Sequence, residues 1–142
     1  MKKVADVLAR KSRPLIYVVP ATTVLDALKI MSDNNIGSIL VMENGEYRGI
    51  MTERDYARKV ILKGKSSTDT QVKEIMSIDL PSISSETSIE ECMQLMSVNN
   101  IRYLPVFHGR ELTGIISVND VIKAVIASQA ETISHLHTYI HS

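Results

Sequence analysis

Tryptophan is absent from this sequence, phenylalanine occurs once and cysteine once. With so few aromatics the core has to be aliphatic, with the seven methionines as filler. A single cysteine, Cys92, excludes an internal disulfide and suits a reducing compartment, the cytoplasm. Neither sign of charge is in excess. Sixteen basic and sixteen acidic residues cancel, which leaves no electrostatic footprint for nucleic acid or anionic lipid. No apolar run approaches the length that spans a membrane. Met1-Lys2-Lys3 leads into Val-Ala-Asp-Val, not a long apolar stretch, so no signal peptide is expected. What remains is ordinary: 142 residues, 44% hydrophobic, enough for one domain or two small halves sharing a core.

What is present is written twice. Gly49-Ile50-Met51-Thr52-Glu53-Arg54-Asp55 returns sixty-five residues later as Gly114-Ile115-Ile116-Ser117-Val118-Asn119-Asp120. In each copy a glycine leads an apolar pair that reads as the end of a buried strand, and a helix follows the aspartate. Thr52 and Ser117 therefore stand at a strand-to-helix junction, where unpaired backbone N–H groups suit an anion such as phosphate. A carboxylate one turn in suits a pair of sugar hydroxyls. Ser/Thr-x-x-Asp is also the capping box, in which hydroxyl and carboxylate serve the helix's own donors. Either copy alone fits the cap better than the site; the duplication is what favours a site.

The repeat extends upstream. Val4 to Leu8 reads as one helical turn, broken at Lys11-Ser12-Arg13-Pro14, and Leu15 to Val19 as a short strand stopped by Pro20. Thr23-x-x-Asp26 is a capping box opening a helix that Asn34-Asn35 ends. Ile36 to Met42 is a strand, Glu43-Asn44-Gly45-Glu46 a hairpin turn, and Tyr47 to Met51 the returning strand. The next helix runs from Thr52 to about Lys63, stopping at Gly64. A polar linker, 65–71, carries no periodicity. Val72 to Met76 then echoes Val4 to Leu8, and Leu80 to Ser84 the first strand. Ser88-x-x-Glu91 repeats the box and Asn99-Asn100-Ile101 repeats Asn34-Asn35-Ile36. Tyr103 to Phe107, a turn at His108-Gly109-Arg110, and Leu112 to Ile116 complete the hairpin. Aligned without gaps, 22–55 and 87–120 share eleven identities in 34 positions. Each unit is too small to bury its own apolar face, so the halves are expected to pack together with pseudo-two-fold symmetry. From Val121 a helix carries an apolar stripe of Val121, Ile122, Val125, Ile126, Ile133, Leu136 and Ile140, suited to the protein's own body or a partner subunit. Its polar face lacks clustered lysine or arginine, which disfavours a membrane.

A β-α-β-β-α unit repeated with this ending resembles a tandem pair of cystathionine-β-synthase-type (CBS) domains, a stand-alone Bateman module. The residues carrying the resemblance are the two Gly-apolar-apolar-Ser/Thr-x-x-Asp endings, the two Asn-Asn-Ile triplets and Arg102-Tyr103-Leu104-Pro105-Val106. It implies an α/β (α+β) fold of two pseudo-symmetric units packed sheet to sheet. The first motif would be 1–64, the linker 65–71, the second motif 72–127 and a helical extension 128–142. It also implies regulatory binding of an adenine nucleotide (AMP, ADP or ATP, with NAD or S-adenosylmethionine as further options) in the cleft between the motifs. On that resemblance Asp55 and Asp120 hold the ribose, and Thr52 and Ser117 meet phosphate or ribose. Ile16, Tyr17, Pro81 and Ser82, with Ile36, Gly37, Ser38 and Arg102 to Pro105 (Tyr103 and Leu104 between them), line the base. Arg54 and Arg102 are the cations best suited to phosphate, a guanidinium gripping it through two hydrogen bonds. The copies differ: Gly37 faces Arg102 in the alignment, and Arg54 faces Asn119. Two competent sites of different preference are therefore expected, in a homodimeric sensor acting on another protein.

The remaining chemistry-bearing residues read as structural. Cys92 lies on the apolar stripe of its helix and reads as a small buried hydrophobe. Of His135, His137 and His141 only the last two share a helix face, and no Cys or carboxylate completes a metal set. His108 sits in a turn. No catalytic constellation is visible, so no enzyme is expected; a nucleotide-acting enzyme and a purely structural interaction module are the rival readings.

Overall fold

The structure, a computed structural model, describes residues 2–11 and 14–141, with the side chains of 139–141 outside that description. Arg13 and the side chains of Ile140 and His141 thus lie outside the described residues. In chain order the elements are α1 (Val4–Lys11), β1 (Tyr17–Val18), α2 (Val24–Asp33), β2 (Ser38–Glu43), β3 (Glu46–Thr52), α3 (Glu53–Lys59), β4 (Ile83–Ser84), α4 (Ile89–Asn99), β5 (Tyr103–His108), β6 (Glu111–Ser117) and α5 (Val118–His141). They form an α+β fold with two three-stranded sheets, β1-β2-β3 and β4-β5-β6. The chain divides into two compact units: Pro14–Leu80, and Met1–Arg13 together with Pro81–Ser142.

In the Pro14–Leu80 unit β1 runs parallel to β2, and β2 antiparallel to β3. Asn44 (φ 53°) and Gly45 (φ 77°) form the two-residue hairpin turn that needs positive φ at both centres. In the other unit only Gly109 (φ 63°) is left-handed at the corresponding turn. The duplication reaches into register. Ser38 pairs with Thr52 as Tyr103 pairs with Ser117, and the ladder slips at Val41/Met42 as it does at Val106/Phe107. Each Asn-Asn-Ile triplet closes a helix in the same way. Asn34 Nδ2 donates to Ile30 O and Asn99 Nδ2 to Leu95 O. Asn35 and Asn100 take φ 52°, and the N–H of Ile36 and of Ile101 turns back to Met31 O and Met96 O. This is the left-handed closure that asparagine tolerates.

Several boundaries move, each for a local reason. The strands expected over 15–19 and 80–84 shrink to two residues each, since only Tyr17–Val18 and Ile83–Ser84 reach the ladder of β2 or β5. The first helical turn grows into the eight-residue α1, started by Asp6 Oδ2 accepting from the Lys3 N–H at 3.0 Å. Its echo at Val72–Glu74 stays a 3-10 turn. The helix expected to reach Lys63 ends at Lys59 and gives way to a 3-10 turn, Ile61–Lys63, closed by Gly64 at φ 68°. The boxes at Thr23 and Ser88 are half made. Each hydroxyl accepts the amide three residues on, at 3.2 Å, but among the described residues neither the Asp26 nor the Glu91 carboxylate accepts from the N–H of its cap residue, and the first helical amides bond to other segments. Val24 and Leu25 donate to the carbonyls of Thr70 and Ser67, and Ile89 to that of Lys2. The polar segment 65–71 is thereby docked on α2, with Thr70 buried. The terminal helix begins at Val118, three residues before its apolar stripe. Val121 and Ala124 are buried, while Ile122, Ile126, Ile133 and Leu136 are exposed. No helix among the described residues is long and apolar enough to cross a membrane.

Both cores are aliphatic. Val18, Val24, Ala27, Met31, Ile39, Val41, Met51 and Val60 fill one, joined by Val72 and Ile75. Ile83, Ile89, Cys92, Met96, Leu104, Val106, Ile116 and Val121 fill the other, joined by Val4 and Val7 of α1. The segment leading each repeat therefore packs in the unit of the other repeat. A glycine makes room for it each time. A Cβ on Gly49 would stand 2.7 Å from Ser77 O, and one on Gly114 2.9 Å from Leu8 Cδ2. Ser77 needs that approach, because it exchanges both backbone bonds with Ile50 (Ile50 N to Ser77 O 3.1 Å, Ser77 N to Ile50 O 2.9 Å).

Two measurements follow. Gly49→Ala meets backbone and should cost about 2–3 kcal/mol, whereas Gly114→Ala meets the movable end of Leu8 and should cost about 1 kcal/mol. Thermal melting of the two variants should rank them in that order. Cys92 is fully buried, and burial pushes its thiol up to about 11, with the Glu91 carboxylate adding to the shift. At pH 8 only about one thiol in a thousand is then ionised. A chromogenic disulfide reagent should leave the native chain unlabelled and label it promptly in concentrated guanidinium.

Candidate ligand-binding site

The sites expected from sequence centre on the β3–α3 and β6–α5 junctions, which the structure builds alike. Thr52 ends β3 as the cap of α3. Its N–H donates to Asp55 Oδ2 at 2.9 Å, its hydroxyl donates to the same oxygen at 3.0 Å, and it accepts the Asp55 N–H at 3.0 Å. At the other junction Ser117 N donates to Asp120 Oδ2 at 2.9 Å, and the Asp120 N–H donates to Ser117 Oγ at 3.2 Å. Both are reciprocal capping boxes. The next amide along is also engaged. Glu53 N donates to Gly37 O at 3.1 Å and Val118 N to Arg102 O at 2.8 Å. Three amides at each helix start are thus already satisfied by the chain. The open cluster of N–H groups expected there is not what forms, because carboxylate, hydroxyl and the carbonyl opening the central strand each reach one amide.

Each carboxylate also holds a lysine that sequence reasoning did not single out. Lys59 Nζ stands 3.1 Å from Asp55 Oδ1 and donates to Ile75 O at 2.8 Å. Lys11 Nζ, at the end of α1, donates to Asp120 Oδ2 and to Ile115 O, both at 2.9 Å. A third donor, Ser77 Oγ, reaches Asp55 Oδ1 at 3.3 Å. Lys59 was discoverable, since it lies one turn after Asp55. Lys11 was not: 109 residues separate it from Asp120. Asp55 is 8% exposed, and the side chain of Asp120 16%. A charge so buried is held only with its partners in place, and losing one is costly.

The remaining expected residues take the following places, unit by unit. Ile16 packs on the core beside β1, while Tyr17 is 55% exposed. Ile36, Gly37 and the buried Ser38 lead into β2 alongside Thr52, and Arg54 sits half-buried in the first turn of α3. In the other unit Pro81 and the exposed Ser82 precede β4. The exposed Arg102 and half-buried Tyr103 lie beside Ser117, and the exposed Asn119 follows it. Leu104 and Pro105 point into protein: both are buried, and Leu104 belongs to the core. Among the described residues no cluster of three or more His, Cys, Asp or Glu could hold a metal ion.

Comparison with known proteins places this geometry. The family model described as "CBS domain" matches residues 4–62 and again 72–127. The CBS domain-containing protein CBSX3, mitochondrial, of Arabidopsis thaliana is 41% identical over 123 residues, which are 83% of this chain and 60% of that protein. The CBS domain-containing protein YhcV of Bacillus subtilis is 36% identical over 104 residues, 73% of this chain and 74% of that one. The chain thus spans three fifths of the Arabidopsis relative's length and about three quarters of the Bacillus one's. Among solved structures, a protein with CBS domains from Burkholderia ambifaria superposes with a TM-score of 0.84 at 41% identity, covering 90% of this chain and 96% of that one. The CBS domain pair of protein MJ0100, solved in complex with 5′-methylthioadenosine and S-adenosyl-L-methionine, gives 0.79 at 25% identity, covering 90% and 98%. Two matched repeats, two like sheets and two like acidic junctions have one common account: this chain belongs to the CBS domain family and carries the domain twice.

Proposed function

We propose that the chain is a regulatory module that binds an adenosine-derived ligand, an adenine nucleotide by preference, and passes its occupancy to another protein. The observation that carries this reading is the acidic strand-to-helix junction, present in each repeat and flanked by a lysine ammonium. A carboxylate accepts from ribose hydroxyls, and an adjacent cation favours a phosphorylated ligand over a neutral one. The adenosyl ligands of MJ0100 support the same class. Filling such a junction competes with bonds that also fasten α1 or the Val72–Met76 segment. Ligand and packing are thereby coupled in the way a sensor requires. The apolar residues left exposed on α5 support self-association as a homodimer. The reading is one of sensing without catalysis.

A second reading is favoured by one observation. Both aspartates already serve as capping acceptors, as a purely structural interaction module would use them. A nucleotide panel separates the two. A ligand at a hundredfold over its dissociation constant adds about 2.7 kcal/mol to the native state. The expected outcome is a rise of several degrees in melting temperature with AMP, ADP or ATP, and ATP recovered unhydrolysed. A flat panel would leave only the structural reading.

A further inference from the structure

We infer that the chain takes one adenosine-type ligand, at the Asp120 junction, and that the Asp55 junction is a structural fastening closed to ligand. The inference rests on the reading proposed above and narrows it, replacing two sites of unequal preference by one. A carboxylate offers about four acceptor positions. At Asp55 three donors take acceptor positions, Thr52 N and Thr52 Oγ1 on Oδ2 and Ser77 Oγ on Oδ1, and the Lys59 ammonium stands against Oδ1 at 3.1 Å as an ion pair. At Asp120 two donors, Ser117 N and Lys11 Nζ, share Oδ2. Oδ1 of Asp120 accepts no hydrogen bond among the described residues, so an acceptor is spare where a ribose hydroxyl would need one.

The hydroxyls differ in the same sense. Thr52 Oγ1 gives its proton to Asp55. Ser117 Oγ accepts the Asp120 amide and donates to nothing among the described residues, so its proton is also spare. Lys11 uses two of its three N–H donors, on Ile115 O and Asp120 Oδ2. The second junction thus offers a matched set of acceptor, hydroxyl donor and ammonium donor, which suits a sugar diol with an anionic group nearby.

The difference has a cause in the sequence. Counting by the repeat, Ser77 of the leading segment corresponds to Ala9 of α1, and Lys59 of α3 to Ala124 of α5. Ala9 is exposed and Ala124 is buried in the core, and neither can donate. Two groups that close the first carboxylate are therefore missing at the second, and Lys11 replaces only one of them.

The test is calorimetric titration of the full chain with AMP and with ATP, read beside thermal melting. The unmodified chain should bind one nucleotide per chain. Asp120→Asn and Ser117→Ala should each weaken binding about tenfold or more. Ser77→Ala and Lys59→Met should lower the melting temperature and leave the dissociation constant within about twofold, the scatter of such measurements. Two nucleotides per chain, or full affinity in Asp120→Asn, would overturn the inference while leaving the nucleotide reading standing. No binding heat with either nucleotide would overturn both.

Discussion

Two glycines without side chains set the terms for everything else in this molecule. Gly49 on β3 and Gly114 on β6 let another stretch of chain lie directly on a strand, where any Cβ would collide. On Gly49 lies the backbone of Ser77, bonded twice to Ile50; on Gly114 lies Leu8 of α1. Because Ser77 is held there, its hydroxyl reaches Asp55. Because α1 is held there, Lys11 reaches Asp120. The close approach thus comes first, and the chemistry at each aspartate follows from which residue the visiting segment brings.

Duplication supplied one scaffold twice, and divergence acted on its fastenings. Hairpin register, the slip in the ladder, the asparagine closures and the reciprocal caps are common to both copies. The bonds to the far side of each carboxylate are not. Hydrogen bonds to buried charged groups are among the stronger local contributions to stability, so a junction that engages both oxygens of its carboxylate gains rigidity and loses vacancy. In this chain the two qualities have been divided between the repeats.

Much of this was legible in the residues themselves. Asn44-Gly45 announced its turn, Asn34-Asn35 and Asn99-Asn100 their helix ends, and Gly-apolar-apolar-hydroxyl-x-x-Asp its strand-to-helix junction, because each depends on neighbours within a few positions. The spacing of Thr52 and Asp55 could not say whether the carboxylate served the helix or a ligand, since both uses want the same geometry. The partners of Asp120 were out of reach for another reason. Lys11 carries no pattern linking it to a residue 109 positions away. Nor could periodicity reveal that Val4 and Val7 belong with Ile83 and Leu104, because an apolar pair does not name the core it enters.

The seating of α1 among the elements of Pro81–Ser142 also orders events during synthesis. The stretch Pro14–Leu80 can close as soon as it has left the ribosome. Helix α1, made before it, has to wait, its Val4 and Val7 uncovered, until the elements from β4 to α5 that cover them have emerged. Closure over so long a loop is slow relative to local folding. Helix α1 is thus made before Pro14–Leu80 yet placed after it, and Lys11 arrives at Asp120 only with it.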